Sequence, residues 1–183
     1  EGSVKSTIAF YNYGTVGQNE IDHCVGVNNY DDMVIPEMEF TSNDRMVAFG
    51  DTKAVIFEGA QKPQAIAEIP MDEKTKSIFY NEHYIGIVTG NEDEAVTNHL
   101  AVYDENGKLV MEKDFGLDYS SIEFLTNNEI CIRNANVCDI YTVHGVYKFH
   151  HEFEEELFEI IPGKLKLNYT LVLKDTTQRI RLK

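Results

Sequence analysis

The chain has 183 residues, with 31 acidic and 16 basic side chains, which gives a formal charge of −15 at pH 7. This length fits one domain or a piece of a larger one. A surface with this much negative charge repels nucleic-acid backbones and anionic lipid headgroups, and we therefore expect neither as a partner. No run approaches the roughly 18 consecutive apolar residues that would span a bilayer, and without an initiator methionine or a signal segment we expect a trimmed or processed chain.

Residues 1–36 are predicted to be the end of a repeat unit that begins further upstream. Ser6–Tyr11 is a candidate strand, and Gly14 and Gly17 mark the loop that follows it. These glycines lack the following lysine and the third glycine of phosphate-binding loops, so a plain loop explains them.

Short runs of apolar residues, rich in β-branched and aromatic types, follow one another along the chain and are separated by turn residues. Four examples are Met46–Phe49, Ala54–Phe57, Tyr84–Val88 and Leu100–Tyr103. The only plausible helical turn, Glu152–Phe158, is too short to affect the fold class. The pattern predicts an all-β protein.

Three hairpins are predicted from a spacing that recurs. Phe57, Tyr103 and Tyr141 are each followed by apolar residues 8 and 12 positions later. The residues at these positions are Ala65, Met111 and Phe149, then Ile69, Phe115 and Phe153. Because a one-residue slip would turn every side chain to the other face, the recurrence predicts one hairpin of fixed register built three times.

A second recurring hairpin precedes each of these. Phe40, Phe79 and Phe124 each stand six positions before an apolar residue, with Asn, Asp or Glu turn residues between them. The phenylalanines lie 39 and 45 residues apart, and an acidic insertion at Gly90–Asn98 explains the longer interval. A unit of four short strands that repeats about every 40–45 residues is typical of the blades of a β-propeller.

We therefore predict a β-propeller-like fold of the WD40 and YVTN kind, a partial propeller of about four to five four-stranded blades. The chain 1–183 is expected to be a single β-propeller-like domain and the C-terminal part of a longer propeller. The expected blades are 1–36 (partial), 37–70, 77–116, 121–154 and 157–183 (three strands). Propellers commonly close when an N-terminal strand completes the last blade, and Ser6–Tyr11 is the candidate for that strand.

The end of the chain differs in charge from the rest. Residues 157–183 hold six basic and two acidic side chains, a net charge of +4, so the other 156 residues carry −19. A basic tail after an acidic body more often indicates docking onto the protein itself than a separate ligand site.

The three cysteines, Cys24, Cys131 and Cys138, are an odd number and do not form a disulfide framework. Cys131 and Cys138 fit neighbouring strands of one hairpin. They are either bridged or small buried apolar residues, and the sequence favours burial because free cysteines are usually buried.

The segment Tyr11–Asp22 opens a set of stretches that together resemble one known family. The other stretches are Ala48–Asp51, Phe57–Pro63, Leu109–Phe115 and the ending Ile180–Lys183. They resemble the domain of unknown function 5711 family over essentially the whole chain. The resemblance implies a cell-surface β-propeller from Firmicutes, whose longer members carry an N-terminal membrane anchor that is absent here. It brings no catalytic residue to this sequence.

Three polar clusters are candidate metal sites. His150 and His151 are adjacent, and neighbours on a strand point to opposite faces, so they do not converge on one ion. Asn91–Glu94 offers oxygen ligands that suit calcium, but it lacks the twelve-position ligand pattern and is more simply a solvated acidic loop. Asp104–Lys108 contains Asn-Gly, the strongest hairpin signal, and is predicted to be a turn. No metal-binding or cofactor-binding residue is assigned.

No catalytic residue is assigned either. The sequence has no Gly-x-Ser-x-Gly nucleophile motif, and no spacing singles out a pair of its acidic residues for glycoside hydrolysis. Glu152–Glu156 indicates a solvated edge, and the alternation of the ten Tyr and ten Phe residues within strands assigns most of them to the core.

Two functions are left, and the sequence favours the first. It is a non-catalytic cell-surface propeller that binds a protein or an envelope polymer through loops such as Gly90–Asn98. The alternative is a polysaccharide hydrolase or lyase, with carboxylates from separate blades converging within roughly 5–10 Å at the central funnel. An incomplete ring would expose apolar faces and strand edges, and self-association is then expected.

Overall fold

The computed structural model describes residues 3–11, 24–90 and 98–182, and every regular element within them is a β-strand. In these described residues, seventeen strands form five small antiparallel sheets of two to four strands, in which neighbours in sequence are neighbours in the sheet. The prediction of an all-β fold is confirmed. Over the same residues, the structure contains no helix with the length and apolar character needed to traverse a bilayer.

The strands have the following bounds. The first sheet pairs β1 (Lys5–Tyr11) with β2 (Cys24–Asp31). The second contains β3 (Glu37–Ser42), β4 (Arg45–Phe49), β5 (Lys53–Glu58) and β6 (Gln64–Pro70). The third contains β7 (Thr75–Tyr80), β8 (Tyr84–Gly90), β9 (Asn98–Asp104) and β10 (Leu109–Phe115). The fourth contains β11 (Ser121–Phe124), β12 (Ile130–Asn134), β13 (Val137–Tyr141) and β14 (Tyr147–Glu152). The fifth contains β15 (Leu157–Pro162), β16 (Asn168–Leu173) and β17 (Thr177–Arg181).

The chain divides into two compact units. The first comprises Glu1–Thr75 and Glu105–Lys108, and the second comprises Lys76–Asp104 and Leu109–Lys183. In the first unit, side chains of β1, β4 and β5 share one core, in which the rings of Phe10 and Phe57 meet edge to face with their centres 5.2 Å apart.

The fourth sheet, in the second unit, buries both of its faces. Ile130 and Ile132 on β12 belong to the core shared with the third sheet, whereas Cys131 between them belongs to the core shared with the fifth. Successive side chains on a strand point to opposite faces. A strand covered on both sides is therefore a continuous apolar run, as Ile130–Ile132 of β12 is, whereas the buried run of β13 includes Asp139.

The hairpins predicted after the three aromatic residues are present, but they do not share one register. Phe57 lies opposite Ala65, eight positions on, whereas Tyr103 and Tyr141 lie opposite residues six positions on. The prediction of a fixed register is wrong for the first hairpin, whose strands continue one residue pair past Phe57, to Glu58 opposite Gln64, before they turn. An even shift returns every side chain to its original face, so the apolar spacing survives it.

The second recurring hairpin is confirmed where its register is described. Phe40 lies opposite Met46, and Phe124 lies opposite Ile130. Burial is not shared, because Phe40 is 74% exposed while Phe79 is buried. The spacing therefore predicted the turn and not the environment of the aromatic ring.

The N-terminal strand Ser6–Tyr11 does not complete the last sheet. β1 pairs with β2, with Lys5 opposite Asp31, and the fifth sheet of the described residues ends at β17. The prediction of closure by this strand is wrong. Strands that follow each other in sequence pair readily because the loop between them costs less entropy to close than a chain-long one.

Candidate functional site

Cys131 and Cys138 lie on β12 and β13, the neighbouring strands predicted for them, and both are fully buried. Their sulfur atoms are 3.6 Å apart without a disulfide bond, whereas Cys24 is free and exposed. The hydrogen bond with Cys131, and then burial, raise the pKa of the Cys138 thiol far above its ordinary value. A thiol in this state is a poor nucleophile.

His150 and His151 have separate surroundings on β14. Nδ1 of His150 lies 2.6 Å from Oδ1 of Asp139 on β13, and the ring of His151 packs against Phe149 and Phe153. Throughout the part of the chain that the structure describes, no three His, Cys, Asp or Glu side chains are grouped to hold a metal ion.

The segment Asp104–Lys108 connects β9 to β10, with Gly107 at a φ of 75°, so the predicted turn is confirmed. Two other predictions concern residues outside those described. Gly14 and Gly17 lie there, as does Asn91–Glu94. The plain loop at Gly14 and Gly17 and the solvated acidic loop at Asn91–Glu94 stay predictions.

A buried polar network joins the fourth and fifth sheets within the second unit. Glu129, which is 8% exposed, accepts hydrogen bonds from the Lys148 ammonium at Oε1 and from the Tyr169 hydroxyl at Oε2, the latter at 2.5 Å. Lys148 also donates to the Tyr169 hydroxyl at 3.1 Å. Each buried polar group of this Glu129–Lys148–Tyr169 network thus has a partner, as burial requires.

The network stabilises the protonated forms of its lysine and its tyrosine. Burial alone would lower the pKa of Lys148, but hydrogen bonds and charge from Glu129 and Tyr169 raise it above its ordinary value. Burial, and then the hydrogen bond to Glu129, raise the pKa of Tyr169. A phenol or an amine used as a nucleophile needs the opposite shift. The network therefore keeps the Lys148 ammonium charged and in place, and it does not activate Lys148 or Tyr169 as a base.

Beside this network lies a surface pocket of about 530 Å³. Its wall includes Glu129, Lys148 and the turn between β15 and β16, which we call the basic loop (Gly163–Asn168). Lys164 and Lys166 are exposed, and Leu165 between them is 74% exposed. The pocket combines three lysines with an exposed apolar side chain, in a chain that is otherwise strongly anionic.

Backbone hydrogen bonds hold the basic loop in shape. The Gly163 amide donates to the Asn168 carbonyl at 2.7 Å, and the Asn168 amide donates to the Leu165 carbonyl at 3.2 Å. Leu167 has a φ of 67°, which is uncommon for a residue with a side chain, and its carbonyl accepts the Leu182 amide at 2.8 Å. A loop whose backbone is held in this way loses less conformational entropy when it binds a ligand.

The sequence reasoning did not single out Glu129. A signal was available, because Glu129 directly precedes Ile130 in the second recurring hairpin, at the place that Arg45 and Tyr84 occupy in the other two. Arg45 also makes a polar cross-link, since it binds the Glu58 carboxylate at 2.6 Å and the Glu105 carbonyl. A polar residue at this repeat position indicates a contact with a neighbouring element.

The buried carboxylates of the described residues belong to Glu129 and Asp139. Each is already bonded, Glu129 to Lys148 and Tyr169, and Asp139 to His150. A glycosidase needs one carboxyl group that gives up a proton and another that attacks or activates water. While these bonds persist, neither carboxylate is available for those roles.

Comparisons with known proteins identify both a family and a fold. A model of a family of unknown function, DUF5711, matches residues 1–182. No curated protein matches the chain by sequence. Among solved structures, Hsv2 of Kluyvelomyces marxianus is similar with a TM-score of 0.55 at 9% identity, over 86% of this chain and 50% of its own.

Two further solved structures are similar. The WD40 domain of SCAP from fission yeast has a TM-score of 0.51 at 10% identity, over 81% of this chain and 42% of its own. BBS1N, solved in complex with ARL6DN, has a TM-score of 0.50 at 13% identity, over 82% of this chain and 52% of its own. The chain spans about half the length of these structures, and the likeness shows a β-propeller-like fold.

Proposed function

The chain belongs to the family of unknown function DUF5711, and we propose that it is a non-catalytic β-propeller module that binds a protein or a polymer of the cell envelope. Its fold resembles that of WD40 proteins, which suggests a binding module. The solved BBS1N structure contains a bound protein, ARL6DN, so a propeller-like neighbour supports the same kind of role.

The basic loop carries this proposal. It presents Leu165, 74% exposed, between Lys164 and Lys166 at the rim of a pocket whose inner wall holds the fixed cation of Lys148. An apolar contact surrounded by positive charge suits a ligand with acidic groups around an apolar one. The raised pKa values of Lys148 and Tyr169 in the adjoining network favour a role in holding a positive charge at the pocket over a role in catalysis.

A photo-crosslinking experiment tests this function. A benzophenone amino acid at position 165 of the full chain should capture a component of an envelope extract. Reversing two charges by Lys164→Glu and Lys166→Glu should reduce capture about tenfold. The matched control, Lys62→Glu with Lys174→Glu, reverses two exposed lysines outside the loop and should leave capture unchanged. Equal capture by the loop variant and the wild type would rule out the loop as the binding surface.

We further propose that the chain acts at the outer face of the cell membrane in Firmicutes, held by an anchor in a longer parent protein. The resemblance of its segments to the family supports this location. Protease treatment of intact cells should digest the protein, and a cytoplasmic marker should survive. Protection of the protein until the cells are lysed would contradict the proposal.

The 183 residues are also proposed to be one β-propeller-like domain and the C-terminal part of a longer propeller. This proposal is supported by the length of the chain, which spans 42–52% of the three similar structures described above. The reading frame upstream of the codon for Glu1 tests this, because it should encode further short strands with the same period.

A further inference from the structure

A second pocket adjoins the one beside the basic loop. The β11–β12 turn separates them, because Asn127 and Glu129 line the pocket of about 530 Å³, and Thr126 and Asn128 line the other, of about 360 Å³. The second pocket, which we call the polar pocket, lies between the β7–β8 and β11–β12 turns of two four-stranded sheets. It is lined by residues 81–83, 124–126 and 128. Both pockets belong to the second unit, so they form one surface on either side of a shared turn.

Hydrogen bonds hold the two turns of the polar pocket together. The side-chain oxygen of Asn81 accepts the backbone amides of His83 at 2.9 Å and Tyr84 at 2.8 Å. The side-chain nitrogen of Asn81 donates to Oδ1 of Asn128 at 2.8 Å, which links the β7–β8 turn to the β11–β12 turn. The pocket is therefore shaped before a ligand arrives, and binding requires less ordering of its walls.

The lining of the polar pocket suits an uncharged ligand that is rich in hydroxyl groups. Phe124 supplies an apolar wall, and its ring is confined by Phe79, with ring centres 4.6 Å apart. Thr126, Asn128 and Glu82 supply a hydroxyl, an amide and a carboxylate. Among the residues that the structure describes, the amide nitrogen of Asn128 has no hydrogen-bond partner. Sugar hydroxyls can accept from this amide and donate to the carboxylate, whereas an anionic ligand would be repelled by Glu82.

The neighbouring pocket suits an anionic group. An ammonium group has three hydrogen-bond donors. Two donors of Lys148 are taken by Glu129 and Tyr169, and the third has no acceptor within the described part of the chain. Lys164 and Lys166 add two positive charges at the rim. Because a lysine acts as a point charge, this pocket accepts a carboxylate or a phosphate alike.

We propose that the two pockets together bind an acidic polysaccharide, with an anionic sugar beside Lys148 and an uncharged sugar in the polar pocket. The fourth sheet shares one core with the third sheet and another with the fifth, and packed sheets lie roughly 10 Å apart. Nearby units of one sugar chain can span this distance. The inference rests on the proposed function, because it names the ligand class of the pocket beside the basic loop and adds a second subsite. An acidic peptide fits less well, since Glu82 repels its carboxylates.

Oligosaccharides of defined charge test the ligand class. The probe is a hyaluronan hexasaccharide, in which carboxylated and uncharged sugars alternate. Chitohexaose, which has no charge, and hexagalacturonate, which has a carboxylate on every sugar, are the controls. A short peptide with leucine between two glutamates represents the acidic-peptide alternative. In isothermal titration calorimetry with the full chain, we expect hyaluronan to bind about tenfold more tightly than each of the other three.

Two variants change the chemistry of the polar pocket and keep its shape. Asn128→Asp retains the oxygen that Asn81 binds and accepts the φ of 62°, but it removes the amide donor. It should weaken hyaluronan binding about tenfold. Glu82→Gln removes the repulsion and should bring hexagalacturonate within about threefold of hyaluronan. Asn28→Asp and Glu73→Gln, the matched controls, make the same changes in the first unit and should alter each affinity less than about twofold. Unchanged unfolding temperatures establish that the variants fold.

Four results would overturn the inference. They are hyaluronan binding no tighter than chitohexaose, equal losses in Asn128→Asp and Asn28→Asp, continued rejection of hexagalacturonate by Glu82→Gln, and tighter binding of the acidic peptide. The last would identify a protein as the ligand. Capture at position 165 without hyaluronan binding would contradict this inference alone, whereas the absence of both would contradict the proposed function as well.

Discussion

Glu129 is the residue on which the polar contact between the fourth and fifth sheets depends. Its carboxylate is nearly buried and holds both Lys148 and Tyr169. A buried ion pair adds little stability over an apolar pair of the same size, but removing one partner leaves an uncompensated charge. The network therefore specifies how two sheets meet more than it strengthens the fold.

The first prediction concerns alkaline stability. The folded-state pKa values of Lys148 and Tyr169 are raised above 10.5 and 10.0, so their contributions are complete below about pH 10 and are lost as the pH rises through the folded values. The free energy of unfolding should fall above pH 10. Tyr169→Phe should lower it by about 1–2 kcal/mol at pH 7 and flatten the alkaline decline. Urea unfolding between pH 7 and 11 measures both effects.

Tyr11→Phe is the control, because Tyr11 is 54% exposed. It should leave stability and its pH dependence unchanged. A decline of the same slope in Tyr169→Phe and the wild type would show that Tyr169 does not contribute to it.

The second prediction concerns the thiols. Cys24 is exposed and free, whereas Cys131 and Cys138 are buried and free. In the native protein one thiol should react rapidly with Ellman's reagent, and all three should react in denaturant without a reductant. Only one reactive thiol in denaturant would reveal a Cys131–Cys138 disulfide and contradict the structure.

At the scale of elements, the repeat tolerates differences in hairpin length. The β5–β6 hairpin has one residue pair more beyond its aromatic residue than its counterparts have, yet Ile69 at the end of that hairpin is still buried. Each side chain stays on the same face of the sheet as long as the register of the hairpin changes by an even number of residues. This is why the apolar spacing predicted the hairpins although their detailed pairing differs.

The third prediction tests packing between β7 and β8. A Cβ added to Gly86 on β8 would overlap the ring of Phe79 on β7. That ring is confined, because it also packs on Phe124 with ring centres 4.6 Å apart. Gly86→Ala should destabilise the protein by about 1–3 kcal/mol, measured by urea unfolding. Gly116→Ala is the matched control, since no atom lies within 4 Å of its added Cβ. Equal stability of the two variants would contradict this packing.

At the scale of the whole molecule, net charge dominates over individual surface ion pairs. The chain carries −15, and exposed pairs such as Lys5–Asp31, with both side chains more than 70% exposed, contribute roughly 0–1 kcal/mol each. Salt weakens such pairs but also screens repulsion among the excess acidic residues. The second effect should be larger because it involves most of the surface.

The fourth prediction follows from this balance. Raising NaCl from about 10 mM to about 200 mM at pH 7 should raise the unfolding temperature by several degrees, because the Debye length shortens from roughly 30 Å to below 10 Å. Sorbitol at the same osmolality controls for a general solute effect, and differential scanning fluorimetry measures both. A lower unfolding temperature in salt would mean that the ion pairs outweigh the repulsion.

The sequence by itself determined the all-β class and the propeller-like repeat. The apolar run Ala54–Phe57, the six-residue step from Phe124 to Ile130 and the turn at Asp104–Lys108 are local patterns, and each lies on its predicted strand or turn. Local patterns are set by which side chains a strand or a turn accepts, so they can be recognised without knowing the partner strand.

Only the tertiary structure decided which distant residues meet. Lys148 and Tyr169 are 19 and 40 residues from Glu129 in sequence, and no periodicity links the three. The pairing of β1 with β2 also emerged from the fold alone. Such contacts depend on how packed sheets approach each other and which edges they leave open, and those choices are settled by the free energy of the assembled chain rather than by any one segment.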